Sequence, residues 1–219
     1  MATTAELIAS ITGARGQREE EDYITYSPSS LWKVFACPRR AFWDIRSPLS
    51  ENRDWYLTAE HGNALHEMIV DMIKKSGRWR GDEVRGSNAK YGISYRIDVL
   101  FDDGENVVPM EIKSASSKTF REYAVTPHPA HLQQLMTYLG FHHPEPYPYG
   151  YLLYYDKGYD KIAMHKVPYD DAFFAEILEK LAMIQDHIAA NVCPEEHGTD
   201  CKYCPYKERC ADLASIKEA

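Results

Sequence analysis

The sequence predicts an α/β fold in which helices pack on a mixed sheet. Three observations lead there: amphipathic helical stretches, short β-branched and aromatic runs of strand length, and the alternation of the two along the chain. At 219 residues the chain builds one substantial core with an appended lobe rather than two full domains.

Residues 5–12 have the composition of a short helix, and Gly13 with the polar run to Asp22 reads as a flexible leader, so the leader is assigned to residues 1–22. The folded part starts near Tyr23. Ser27 or Ser29 caps a helix through Leu31, Trp32, Val34 and Phe35, and Pro38 suits the first turn of the next segment, which carries Phe42 and Trp43. Leu65, Met68, Ile69, Met72 and Ile73 recur at three and four, which marks an amphipathic helix ending near Gly77. Tyr91 to Phe101 and Val107 to Ser114 read as strands joined through Asp103 and Gly104 as an antiparallel hairpin. Pro127 and Pro129 precede a helix with Leu132, Leu135, Met136 and Leu139. Tyr149 to Tyr155 and Lys161 to Val167 are two further strands. A long helix with Phe174, Ile177, Leu181, Ile184 and Ile188 largely on one face then leads into a cysteine-rich tail. Residues 23–192 are thus expected to form the main domain and 193–219 the tail.

A net charge of -8 excludes coating of nucleic acid by bulk electrostatics, because such binding needs many lysines and arginines on phosphates. The acidic excess falls mostly in the second half, so a nucleic-acid groove is expected from Lys33, Arg39, Arg40, Lys74, Lys75, Arg78, Arg80, Arg85, Lys118 and Arg121. No apolar run has the roughly 18 residues of a membrane span, and the N-terminus lacks a secretory pattern. A soluble, cytoplasmic protein is the expectation, and its five cysteines are read as ligands before disulfides.

The chemistry is concentrated in Arg96-Ile97-Asp98 and Glu111-Ile112-Lys113. Alternate side chains share a strand face, so Glu111 and Lys113 project together. If Asp102 opposes Val107 across the loop 103–106, counting back sets Asp98 opposite Glu111. Two carboxylates among apolar neighbours repel and resist desolvation unless a cation lies between them, and a hard divalent ion removes that cost. Asp98 and Glu111 would hold Mg²⁺ or Mn²⁺ for phosphodiester hydrolysis, with Lys113 as the catalytic cation. By itself Glu-Ile-Lys is an ordinary surface ion pair. His66, at the edge of its helix's apolar stripe, is a competent ligand for Mn²⁺. Gln134 and Tyr138 share one face of the later helix and are placed to brace the site or a DNA strand. Cys201, Cys204 and Cys210 form a C-x2-C-x5-C pattern able to grip one Zn²⁺ or one iron-sulfur cluster. A fourth ligand comes from Cys193 or, across the chain, Cys37.

Ser27-Pro-Ser-Ser-Leu31 with Cys37-Pro-Arg-Arg40, Gly62-Asn-Ala-Leu-His66, Arg96-Ile-Asp98, Glu111-Ile-Lys113, Gln134-Leu-Met-Thr-Tyr138 and the C-terminal cysteines occur in that order. Together they resemble the RecB-like nucleases of the PD-(D/E)XK superfamily, and within it the CRISPR-associated Cas exonucleases that carry an iron-sulfur cluster. The resemblance implies a restriction-endonuclease-like mixed sheet flanked by helices, with a cluster lobe formed by N- and C-terminal segments. It implies Mn²⁺ or Mg²⁺ on His66, Asp98, Glu111 and the Ile112 carbonyl, a catalytic Lys113, and Gln134 and Tyr138 as a QxxxY motif. It also implies a 4Fe-4S cluster on Cys37, Cys201, Cys204 and Cys210, leaving Cys193 outside, with zinc as the competing occupant.

The expected activity is that of a metal-dependent DNA exonuclease, with possible endonuclease action, on single-stranded DNA or DNA ends in CRISPR spacer acquisition or DNA processing, beside an integrase partner. The competing reading is a DNA-end-binding adaptor in which cleavage is secondary. It predicts that metal-site variants still bind ends while cluster-ligand variants fail.

Overall fold

The computed structural model describes residues 26–48, 56–142, 144–199, 201–202 and 204–210, and of residues 56–60 the backbone alone. The leader assigned to residues 1–22, with its helix at 5–12, lies outside the described residues.

A 3-10 turn at Pro28–Ser30 leads into α1 (Trp32–Ala36) and α2 (Pro38–Arg46). Pro38 occupies the first turn of α2, where its missing N–H costs nothing. The 20-residue helix α3 (Tyr56–Lys75) ends at Gly77, whose φ of +76° is a left-handed conformation that glycine adopts without strain. Strands β1 (Trp79–Asn88), β2 (Ile93–Asp102) and β3 (Val107–Ala115) follow. Helices α4 (Ser117–Tyr123) and α5 (Pro129–Gly140) then cross over to β4 (Tyr149–Asp156). Strand β5 (Ile162–Pro168) and helix α6 (Asp171–Ala190) complete the order. Asp170 caps α6 by accepting from the Phe173 N–H at 3.0 Å.

The five strands lie in the order β1-β2-β3-β4-β5. Neighbours are antiparallel except β3 and β4, which run parallel, as the helical crossover between them requires. The sheet is therefore mixed and flanked by helices. On one face α3 presses Ile69, Val70 and Ile73 against Val99, Met110 and Ile112. On the other, Leu135, Leu139, Ile177 and Leu181 of α5 and α6 pack over Ile97, Leu152 and Tyr154.

The β2–β3 register is the one the hairpin loop dictates, with Asp102 opposite Val107 and Val99 opposite Met110. Two elements were missed in the sequence reading, and one boundary differs. Strand β1 was not anticipated, since Trp79 to Asn88 carries two glycines and four charged residues and shows no apolar alternation. It is an edge strand, mostly exposed, that exists because β2 supplies its hydrogen bonds. Helix α4 was also missed, although Ser116 caps it by accepting from the Thr119 N–H at 3.3 Å. Strand β2 starts at Ile93 rather than Tyr91, which belongs to a 3-10 turn closed by the left-handed Gly92. Among the described residues no helix is long and apolar enough to cross a membrane.

Candidate active site

The paired part of the β2–β3 ladder stops at Val99 and Met110, one step before Asp98 and Glu111. Side-chain alternation along β2 also shifts phase there. Ile97 packs on the α5–α6 face and Val99 on the α3 face, although a regular strand would put both on one side. Asp98 thus stands where β2 turns away from β3, and its carboxylate replaces the missing ladder partner by accepting the Ile112 N–H at 2.8 Å through Oδ2. Its other oxygen, Oδ1, lies 3.3 Å from Nε2 of His66 on α3. The neighbouring Asp98 carboxylate, chiefly, raises the His66 pKa, with burial opposing it.

Glu111 points to the opposite face from Ile112 and is only 1% exposed. Its Oε1 is held by Lys113 Nζ at 2.6 Å, while Oε2 is buried with no hydrogen-bond partner. Burial pushes its carboxyl up to about 7; Lys113 pulls the value down and Asp98 pushes it further up. Helix α5 closes this side. Gln134 Nε2 donates to the Tyr138 hydroxyl at 2.8 Å, both side chains are buried, and the hydroxyl lies beside the Glu111 carboxylate. His131, one turn before Gln134, was not singled out in the sequence. Burial, with Lys113 and His128 nearby, lowers its imidazole to about 3, and Nδ1 meets the Tyr154 hydroxyl at 3.0 Å. Its spacing of three from Gln134 was the available signal.

His66, Asp98, Glu111, Lys113, Gln134 and Tyr138 therefore converge from four elements on one sheet position. A divalent cation fits the donors, because the buried Glu111 Oε2 lacks a hydrogen-bond partner and His66 Nε2 faces the Asp98 carboxylate at 3.3 Å. Leaving a buried carboxylate oxygen unpaired costs roughly 1–3 kcal/mol or more, which a bound cation would offset. Among the described residues no three His, Cys, Asp or Glu side chains are closed up as a ready-made cage. Lys113 already occupies one oxygen of Glu111.

A second site lies at the far end of α1. A cavity of about 500 Å³ is lined by Cys37, Cys201, Cys204 and Cys210, together with Arg39, Arg40 and Lys207. Cys193 is not on this lining; it packs against the core, where burial first, and then the neighbouring Cys210 and Cys37, raise its thiol. The tail is tied to α2 by Arg39, whose Nε donates to the Pro194 carbonyl at 2.9 Å and whose Nη2 donates to the Glu195 carbonyl at 3.1 Å. At Gly198 a Cβ would stand 2.5 Å from the Ala36 carbonyl oxygen and 3.2 Å from Cys37 Cβ, so glycine permits the approach. Burial raises the Cys210 thiol, and the Arg39 hydrogen bond opposes it. All five thiols are free. Of the cations expected to line a nucleic-acid groove, Lys33, Lys74, Lys75 and Arg80 are ion-paired with Asp44, Asp82, Asp71 and Asp102.

The family model for the PD-(D/E)XK nuclease superfamily matches residues 75–211, which carry Asp98, Glu111, Lys113, Gln134 and Tyr138. The chain belongs to the PD-(D/E)XK nuclease superfamily. Among solved structures, this PD-(D/E)XK chain is similar to LHK-Exo, an alkaline exonuclease from Laribacter hongkongensis. The complex of LHK-Exo with dAMP aligns at TM-score 0.60 and 18% identity, covering 86% of this chain and 94% of that one. A second structure of LHK-Exo gives 0.54 at 17% identity over 87% and 94%. SSO0001 gives 0.54 at 20% identity over 94% and 95%. At these identities the likeness is one of fold. No curated protein matches the sequence.

Proposed function

We propose that this PD-(D/E)XK nuclease is a metal-dependent deoxyribonuclease that acts as an exonuclease on single-stranded DNA or DNA ends. The observation that carries the reading is Glu111, a carboxylate buried to 1% exposure, with one oxygen on Lys113 and the other unpaired, beside Asp98 and His66. A charge so placed is costly unless the site binds a cation. His66, Asp98, Glu111 and the Ile112 carbonyl are the proposed ligands of Mn²⁺ or Mg²⁺. When bound, the ion supplies Lewis-acid polarisation of the phosphoryl group and acidifies water. Lys113 Nζ offsets the charge that develops on the phosphate, and Gln134 with Tyr138 fixes the Glu111 carboxylate in place.

The second part of the proposal is a 4Fe-4S cluster on Cys37, Cys201, Cys204 and Cys210, in a lobe made by the α1–α2 region and the tail from residue 193. Its support is the set of four thiols around one cavity whose lining does not include Cys193. Zinc is the competing occupant. A role in CRISPR spacer acquisition beside an integrase rests on the order of the sequence motifs.

The deciding experiment is cleavage of end-labelled single- and double-stranded DNA in Mn²⁺ by wild type and Lys113→Ala. The variant is expected to lose turnover by roughly 10²-fold or more. Wild-type rates in Lys113→Ala would refute the assignment.

A further inference from the structure

Trp32 lies on α1 with 36% of its surface exposed, a large aromatic side chain left partly open while Val34 of the same helix is buried. Arg40 on α2 places its guanidinium 5.2 Å from the centre of that ring, and Arg40 Nε is buried without a hydrogen-bond partner. Trp32 and Ala36 line two neighbouring hollows. One is the cysteine cavity; the other, about 290 Å³, continues past Phe35 to His128, Pro129 and Gln133 at the start of α5. The second hollow thus ends at the first turns of α5, the helix that carries His131, Gln134 and Tyr138 to the active site. Arg40 is the cation beside the ring, and no Asp or Glu lies on the lining of the second hollow among the described residues. In a chain of net charge -8 that sign contrast selects an anion.

We propose that Trp32, backed by Arg40, is a stacking platform for an unpaired base of single-stranded DNA lying along the second hollow. The proposal rests on the nuclease reading above for the identity of the ligand. An exposed indole offers a face that any base covers, while a guanidinium beside it meets the adjoining phosphate and strengthens the ring's own contact. Duplex DNA keeps its bases stacked on each other and gives the indole no face to cover. The platform therefore discriminates for single strands, and it holds a strand beside the start of α5 without a broad basic surface.

The test is fluorescence anisotropy of the full chain with a fluorescein-labelled oligothymidylate of about 20 nucleotides, longer than the roughly 4–16 nucleotides of common single-strand sites. A labelled hairpin duplex is run alongside, both in EDTA to halt cleavage. Trp32→Ala is expected to weaken single-strand binding by roughly tenfold and leave duplex binding within about twofold. Trp32→Phe, which keeps a ring, is expected to stay within about threefold of wild type on the single strand. Unchanged single-strand affinity in Trp32→Ala overturns the platform, as does equal loss on both DNAs or a Trp32→Phe as weak as Trp32→Ala. The two readings fail separately. Active Lys113→Ala removes the nuclease assignment whatever Trp32 does, whereas inactive Lys113→Ala with unaltered Trp32→Ala binding removes the platform alone.

Discussion

The main-chain N–H of Ile112 donates to Asp98 Oδ2 at 2.8 Å, just where β2 and β3 cease to pair. One carboxylate thus closes the backbone accounting of the split and presents its second oxygen to His66. Asp98 therefore has a structural and a chemical task, and the two are separable by substitution.

Asp98→Asn retains an oxygen that can accept from Ile112 but loses the charge that attracts a cation. It is expected to keep its melting temperature within a few degrees while turnover falls roughly 10²-fold. Asp98→Ala loses both and should melt lower as well. Thermal melts paired with the cleavage assay separate these outcomes, and equal activity of Asp98→Asn and wild type contradicts the metal role.

Glu111 links stability to pH and to metal. Its carboxyl is raised by burial from 4.5 to about 7, so the folded state prefers the protonated form. In metal-free protein that preference stabilises below pH 4.5 and is lost as pH rises to about 7. Glu111→Gln should flatten this limb. It should also abolish stabilisation by Mn²⁺, which for wild type at a hundredfold excess over Kd amounts to about 2.7 kcal/mol, or roughly 5–10 °C in melting temperature. Calorimetry from pH 4 to 8 with and without Mn²⁺ reads both effects; a full metal-induced shift in Glu111→Gln counts against the site.

The thiol cavity makes a claim about colour. Wild type purified without air should be brown and absorb near roughly 400 nm, and Cys37→Ser should lose that band. Cys193→Ser should keep it, because Cys193 lies outside the cavity lining. Colourless protein with about one zinc per chain would replace the cluster with zinc.

Asp103 holds the β2–β3 turn. Oδ1 accepts from the N–H groups of Glu105 and Asn106, and Oδ2 accepts from the hydroxyls of Tyr149 and Tyr151 at 2.7 and 2.8 Å. The Asn106 N–H, the Tyr149 hydroxyl and the Glu105 N–H hold its carboxyl well below the usual 3.8. A lowered folded value gives stability that is present above pH 3.8 and lost as pH falls toward the folded value. Asp103→Ala should accordingly melt below wild type at pH 7, with the gap narrowing in acid. A gap that widens in acid would reverse the sign.

The sequence determined what local patterns encode. Periodicity at three and four drew α3 and α6, and the four-residue loop from Asp103 to Asn106 set the register that pairs Asp102 with Val107 and Val99 with Met110, one step short of Asp98 and Glu111. Strand alternation put Glu111 and Lys113 on one face. What depended on distant partners stayed hidden. Strand β1 has no apolar pattern of its own and forms because β2 offers an unpaired edge. The phase shift at Asp98 arises only when two cores compete for opposite faces of β2. Cys37, rather than the nearer Cys193, lines the cavity with Cys201, Cys204 and Cys210 because Arg39 and Gly198 dock the tail on α2. Local propensity acts over a few residues, whereas desolvation and close packing act between segments the chain brings together from afar.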